Sequence, residues 1–516
     1  MALKGRAKIE LKNEETGDVQ VIEHGNMLTN ELTNALTPWL ASTCYGYNTS
    51  KKAYDDTYAN RLSYNTTILE HLMGGILLFA DTLDEDASIT EVPRGCEITG
   101  KASYDAYSGA DLARGSYSAD ESGYQGDLTY KHVWNFTTSQ ANGTIAALGL
   151  THYLGGELGD GIEDITSEDM QTWNYKYVLN WLTCCLIAAN SADFTSSSSS
   201  SSYYYYYVAL DLANNCMYYT NHYQYLNGYS GDSHFRQTGV IPLKKMRIPL
   251  TKVSPFYDYC GNYSVEDVEL AIPDEFLEYA QGLTCQYYMA YSDSYCWIVP
   301  LLTSVAAGGS FKVLRVPHDD ITAAETLTVT NGTDYPLYIQ YCARFTDDYV
   351  FGWLYKDSEY YLCRISLSDG GYALSDAPLT YINSSGETAL TYSNAQHYAA
   401  IVSKNWWYLG CGSNTSATYP VVDIDTMHVK HSQGTITATA GTTLSTSYGV
   451  HPGTLRRLTG NIYAGFVLGA NCIYLKIFLA SDSLLTINNL DEAVVKTASQ
   501  SMKITYTIQE VEETDE

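Results

Sequence analysis

The chain has 516 residues, with 58 Asp and Glu against 29 Lys and Arg, for a formal net charge of −29. A field of that sign repels nucleic acid and anionic membranes, which argues against both as partners. With 45% hydrophobic and 17% charged residues, the composition is that of a globular protein. It is long enough for more than one domain or one large β architecture.

The opening reads as a β-hairpin. Ala7, Ile9 and Leu11 alternate with polar residues, Glu14 to Asp18 form a turn, and Val19 to Ile22 begin the return strand. A helix follows, with Leu28, Leu32, Ala35, Leu36, Trp39 and Leu40 at helical spacing, Thr29 and Asn26 where a cap belongs, and Pro38 near its end. Lys131 to Phe136 and Thr144 to Leu150 read as a second strand–turn–strand unit, with Asn142-Gly143 as the turn. The end of the chain is another half-buried strand, with Met502, Ile504, Tyr506 and Ile508 on one face. A strand isolated there needs a sheet to join, and the N-terminal region can supply it. The expected organisation is therefore a discontinuous β-rich domain, 1–165 plus 485–516, with 166–484 inserted.

The middle has almost no helical periodicity. Short aromatic runs lead into aliphatic strands at Tyr205 to Leu212, Ser294 to Leu301, Ser358 to Ser366, Asn405 to Leu409 and Asn471 to Ile477. Their starts lie about 45 to 90 residues apart, and the shortest spacing matches one propeller blade. The fold class expected is mainly β, with a β-propeller-like central domain of five to seven blades; tandem β-sandwiches are the alternative.

The start has no apolar core of a secretion signal, and the most apolar runs, Leu72 to Ala80 and Trp181 to Ala189, are too short to span a bilayer. Folding in a cytoplasm is expected. The twelve cysteines contain no C-x-x-C spacing, so free buried thiols are expected rather than a disulfide framework or a metal site.

Tyrosine is the strongest bias: 48 residues against 11 phenylalanines. A core that needs only aromatic bulk has no use for so many hydroxyls, whereas a recognition surface gains contact area and a polar handle from each. The extreme is Ser196 to Ser202 followed by Tyr203, Tyr204, Tyr205, Tyr206 and Tyr207. With Tyr223, Tyr225, Tyr229, Trp406 and Trp407, these aromatics near turns are the candidate ligand-binding residues; blade packing is the competing role for at least half of them. Rings of this kind stack on sugar faces while hydroxyls bond to sugar hydroxyls. No nucleophile elbow, metalloprotease helix, phosphate loop or EF-hand spacing occurs, and the acidic pairs, Asp81 to Asp86 and Asp347-Asp348, read as solvated turns. No catalytic residue, cofactor or metal is expected.

Lys4 to Leu11, Thr16-Gly17, Asn26 to Asn30, His132 to Ile145, Val494 to Thr497 and Ser501 to Tyr506 resemble the ends of tail and receptor-binding-type virion proteins of bacteriophages, especially those of gut bacteria. The resemblance covers about 200 residues at the two ends and carries no chemistry. It implies a virion location, release by lysis, one part bound to other virion proteins, another meeting a host-surface glycan or protein, and a homo-oligomer, a trimer by analogy. A passive collar, whisker or decoration component and a glycan depolymerase are the other two readings.

Overall fold

The structure is a computed structural model that describes residues 2–35, 73–93, 96–126, 129–151, 180–188, 205–211, 213–214, 216–221, 226, 234–247, 265–339, 344–383, 386–390, 399–401, 406–409, 418–433, 437–438, 442–443, 456–469, 472–479 and 483–511. It is mainly β, and both ends of the chain enter the same pair of sheets. Ala2–Asn13 pairs along its whole length with Gln500–Val511, and on its other side with Val19–Gly25. Thr129–Phe136 extends this sheet beyond the C-terminal strand. The second sheet runs Met27–Leu28, Thr486–Lys496, Gly143–Thr151, Gly75–Phe79, Ile98–Ala102.

The alternation seen in the sequence explains how the two sheets pack. Ala7, Ile9, Leu11, Ile504, Tyr506, Trp134 and Phe136 from the first sheet are buried in one cluster with Ile76, Leu78, Leu148 and Leu150 from the second. The second sheet is covered on its far face as well, where Leu77, Phe79, Ala147, Leu484 and Ile487 form a separate buried cluster. That two-sided burial is why Gly75–Phe79 is apolar throughout rather than alternating.

Two local expectations need correction. Thr129–Phe136 and Gly143–Thr151 are strands, but they lie in different sheets and do not form a hairpin. The turn between them, with positive φ at Ala141 and Gly143, carries the chain from one sheet to the other. Leu28 belongs to the strand Met27–Leu28, and the helix spans Asn30–Ala35 among the described residues; positions 36–40 lie outside them. The Thr29 hydroxyl donates to the carbonyls of Leu484 and Leu485, and the Asn26 amide donates to the Tyr506 hydroxyl.

The centre is a ring of antiparallel meanders. Blade 1 is Tyr205–Asp211, Cys216–Asn221, Val240–Arg247, Val265–Ala271. Blade 2 is Tyr287–Tyr291, Tyr295–Pro300, Ser310–Pro317, Glu325–Thr330. Blade 3 contains Leu337–Tyr338, Tyr349–Lys356, Glu359–Ser366 and Tyr372–Leu374. Blade 4 contains Ala399–Ile401, Trp406–Leu409, Thr418–Asp423 and Val429–Gln433, with the hairpin Thr380–Asn383/Gly386–Ala389 beside it. Blade 5 joins Arg456–Thr459, Ile462–Gly469 and Cys472–Leu479 to Asn180–Ala188. This last sheet takes three strands from the end of the insert and one from its beginning, which is how a propeller ring is sewn shut. The central domain is thus a β-propeller, with five blades among the described residues.

The first strand of blade 1, Tyr205–Asp211, contacts Tyr295–Pro300 and Ser310–Pro317 of blade 2 and Ile462–Gly469 of blade 5. Trp297 of blade 2 stacks on Phe345 of blade 3, with ring centroids 4.7 Å apart, and its indole N–H donates to the Ser292 hydroxyl at 2.9 Å. Two short helices, His234–Thr238 and Asp274–Gln281, bridge strands of blade 1 and the step to blade 2; Phe235, Phe276 and Tyr287 form the aromatic contact beneath them. Cys216, Cys285, Cys296 and Cys363 carry free thiols, and burial pushes the Cys363 thiol up to about 12. No helix is long and apolar enough to cross a membrane among the described residues.

Candidate functional site

The aromatic residues singled out in the sequence fall into two blades. Tyr205, Tyr206 and Tyr207 are part of the first strand of blade 1, in register with Asn221, Thr220 and Tyr219, and a bulge follows before Ala209. Trp406 and Trp407 are in register with Asp423 and Val422 in blade 4. Tyr203, Tyr204, Tyr223, Tyr225 and Tyr229 lie outside the described residues, as does the serine run. The Tyr205 to Tyr207 segment is therefore part of a strand, as expected for Tyr205 to Leu212.

A different aromatic group forms a surface on blade 3. Tyr349–Lys356 and Glu359–Ser366 are joined by two residues, Asp357 and Ser358, both with positive φ (53° and 71°). Such a primed turn locks the hairpin register. It places Tyr355 opposite Tyr360 and Trp353 opposite Leu362, while Tyr338 of the neighbouring strand faces Trp353. Four rings consequently share one face. Tyr360 lies 4.8 Å from Tyr355, 5.9 Å from Tyr338 and 6.1 Å from Trp353, measured between ring centroids. Trp353 is the buried floor, and Tyr355 is 40% exposed. The opposite face of the hairpin, through Leu354 and Cys363, packs with Leu337 on Trp297, Val299 and Phe311. The residues Ser375 to Leu379 border the aromatic face, held by Ser375 N–H to Leu362 O at 2.9 Å and Leu379 N–H to Tyr360 O at 2.7 Å. Glu359 lies on the opposite face of the hairpin, where it accepts the Tyr361 hydroxyl at 3.3 Å, and Asp376 bonds to His428 and accepts the Val429 N–H at 2.9 Å. The sequence does carry a signal, since aromatics crowd both sides of this two-residue turn, but in residue order alone they read as blade strands and not as a surface.

A second cluster is ionic and crosses the ring. Arg457 on the first strand of blade 5 donates from Nε to both oxygens of Asp293, at 3.0 and 2.9 Å, and also from Nη2. Arg456 donates to the Asp293 carbonyl at 3.1 Å and to the Leu210 carbonyl of blade 1. Next along the chain, Ser294 donates its N–H and hydroxyl to Asp347 of blade 3, at 3.1 and 2.6 Å. Asp347, half of an acidic pair in the sequence, thus ties two blades together. Burial opposes the Arg457 charge, but the bidentate bond to Asp293 outweighs it and raises its pKa. These groups satisfy one another, so the cluster fastens the ring. Arg457→Met is expected to cost about 2 kcal/mol in urea unfolding. Part of the pair is solvent-exposed, so the difference from the parent should narrow in high salt. A salt-independent loss would show that lost packing is responsible.

Among the described residues, no three His, Cys, Asp or Glu side chains converge to hold a metal ion. No protein-family model matches the chain, and no curated protein matches it. Among solved structures it is similar to a mutant of puromycin hydrolase, at 10% identity and a TM-score of 0.22, over 71% of this chain and 53% of that one. It is also similar to a structure from a study of two prolyl endopeptidases, at 11% identity and a TM-score of 0.24, over 88% and 61%. TolB from Acinetobacter baumannii matches at 9% identity and a TM-score of 0.13, over 48% and 77%. The chain spans about half the length of the hydrolase. Likenesses of this size carry no function from those proteins to this one.

Proposed function

We propose that the chain is a recognition protein of a bacteriophage virion, held to the particle by its terminal β domain and meeting a host-surface glycan or protein through its propeller. The observation that supports this most is the topology. The first and last strands are zipped together in one sheet, so the propeller is an insert that leaves and returns to a single base. One base and one inserted head suit an anchor-and-display division of labour. The tyrosine excess suits a head that binds. Within the head, the described surface we assign to contact is the Tyr338, Tyr355 and Tyr360 face of blade 3.

On this reading the protein is a homo-oligomer, as virion components generally are, and a trimer is our proposal. It acts by binding and catalyses nothing. The test is saturable binding of the labelled full-length protein to bacterial cells that the parent phage adsorbs to, competed by unlabelled protein and absent on non-host cells. A folded protein with no saturable binding would leave a collar, whisker or decoration role. Steady release of soluble sugar from those cells would instead favour the depolymerase.

A further inference from the structure

The terminal domain leaves one sheet edge open. Val19–Gly25 ends its sheet and, among the described residues, pairs only with Ala2–Asn13, in an unbroken register from Arg6 opposite Gly25 to Lys12 opposite Val19. Two backbone bonds fix the phase of that ladder. The Asn13 N–H donates to the Asp18 carbonyl at 2.8 Å, and the Asn26 N–H donates to the Gly5 carbonyl at 3.3 Å. Opposed residues in an antiparallel ladder alternate between bonded and non-bonded pairs, so Gln20, Ile22 and His24 bond inward. Val19, Val21, Glu23 and Gly25 therefore turn their N–H and C=O groups out from the sheet. Val19 and Val21 are also 52% and 49% exposed. Proline or a bulge commonly blunts such an edge, and this strand has neither.

We propose that this edge pairs with the same edge of a second copy, across a two-fold axis normal to the sheet, and joins two terminal domains into one continuous sheet. Such an axis sets the strand and its mate antiparallel, like the other pairs of this sheet. The whole of Val19–Gly25 overlaps when Ile22 faces Ile22. Val21 then exchanges both backbone bonds with Glu23 of the second copy, and Val19 with Gly25. Ile22 lies half-buried at the margin of the core, so two of them together close it. Gln20 meets His24, which bonds Asp491 of its own chain at 3.2 Å. Glu23, the strand's one carboxylate, meets Val21 and not its own copy. The hairpin is also unevenly charged along its length. With Arg6–Glu23, Lys8–Glu10 and Lys12–Glu14 paired within the chain, the turn end keeps Glu15 and Asp18 and the open end keeps Lys4. Antiparallel pairing sets each acidic turn beside the other copy's lysine. The contact joins whatever unit is already formed, chain or trimer, in pairs, and it stands apart from the recognition reading.

The experiment is sedimentation velocity on the full-length protein over a micromolar dilution series. Val21→Pro is the first variant, since proline there removes only an N–H that points out of the sheet. Its melting temperature should stay close to the parent's, and its assembly should have about half the parent's mass. Equal masses for parent and variant across the series overturn the proposal. Val21→Glu asks nothing of the backbone. It sets a carboxylate against Glu23 of the second copy and should likewise halve the mass, so it decides the matter alone if Val21→Pro does not fold. Adding Glu23→Lys to Val21→Glu should restore the parent mass, because the exchanged charges then meet across the axis. A halved mass without that restoration overturns the pairing centred on Ile22.

Discussion

Glu31→Ala is expected to loosen the propeller from its base, and to turn a single thermal unfolding transition into two. Glu31 sits on the helix Asn30–Ala35 of the terminal domain with its side chain fully buried. Its carboxylate accepts the backbone N–H of Asn461 at 2.9 and 3.2 Å, and the Ser483 hydroxyl at 3.5 Å. Asn461 belongs to the turn of the closing blade, and its side-chain amide returns to the Thr90 carbonyl at 3.3 Å. Gly460, one residue earlier, has φ +48°, and a β-carbon there would run into the Glu31 carboxylate. The turn is therefore shaped to receive the acid. Leu32 on the same helix shares a buried cluster with Ile462 on the same turn, so apolar packing surrounds the polar grip. Removing the carboxylate deprives a buried N–H of its acceptor, at about 1–3 kcal/mol for each buried donor left over. A loss of about 3 kcal/mol is expected for Glu31→Ala, and less for Glu31→Gln, which keeps one acceptor oxygen. Gly460→Ala should reproduce the defect from the other side, because the left-handed backbone and the close approach both exclude a side chain. Calorimetry decides it: one unshifted transition in Glu31→Ala would mean that the apolar contact alone couples the two domains.

The joining of the chain's ends was legible from residue order because the relevant strands alternate cleanly. Ala7, Ile9 and Leu11 at one end and Met502, Ile504, Tyr506 and Ile508 at the other each offer one apolar face, and a terminal strand of that kind must find a sheet. The propeller was harder to read for a definable reason. The five aromatic segments do each lie on a strand, one per blade. They occupy the first strand of blade 1, the second of blade 2, the third of blade 3, the second of blade 4 and the third of blade 5. They mark different positions within the repeat, so their spacing is uneven although the blades follow in regular order. Turn chemistry misled once: Asn142-Gly143 is a real turn, yet a turn reports a change of direction and not which sheet the chain enters next. The rest was illegible because it depends on distant partners. Nothing near Glu31 in sequence announces Asn461, 430 residues away. Asp347 looked like surface acidity because its partner, Ser294, belongs to another blade. His132 gave no hint of burial, being one polar residue in a strand whose even positions all point inward.

That histidine makes acid sensitivity the second large effect to expect. His132 is fully buried, stacked on Trp134 with ring centroids 5.5 Å apart and lying 4.7 Å from the Tyr130 ring. The Tyr117 hydroxyl is 3.3 Å from its Nδ1, while Nε2 has no hydrogen-bond partner. Burial pushes its pKa down to about 3. In the unfolded chain a histidine takes up its proton near pH ~6.5, so below that pH the unfolded state binds a proton that the fold refuses. Stability therefore falls as pH drops from about 6.5 towards 3, by about 1.4 kcal/mol per pH unit for this one group. Between about pH 7 and pH 5 the loss is about 2 kcal/mol. His318 acts with the same sign: burial first, and then the nearby Arg456 charge, hold it well below the usual histidine range. The hydrogen-bonded carboxylates Glu14, Asp86 and Asp369, whose pKa values are lowered, contribute in a more acidic window, as they become protonated. The histidine loss thus comes first on acidification. His132→Phe keeps the ring stack on Trp134 and removes the titration. Its stability should match or fall below that of the parent at about pH 8, where the Tyr117 contact is missed, and exceed it at about pH 5. Denaturant unfolding at the two pH values measures the crossing; parallel curves would mean that His132 is protonated inside the fold, and that the acid response originates elsewhere.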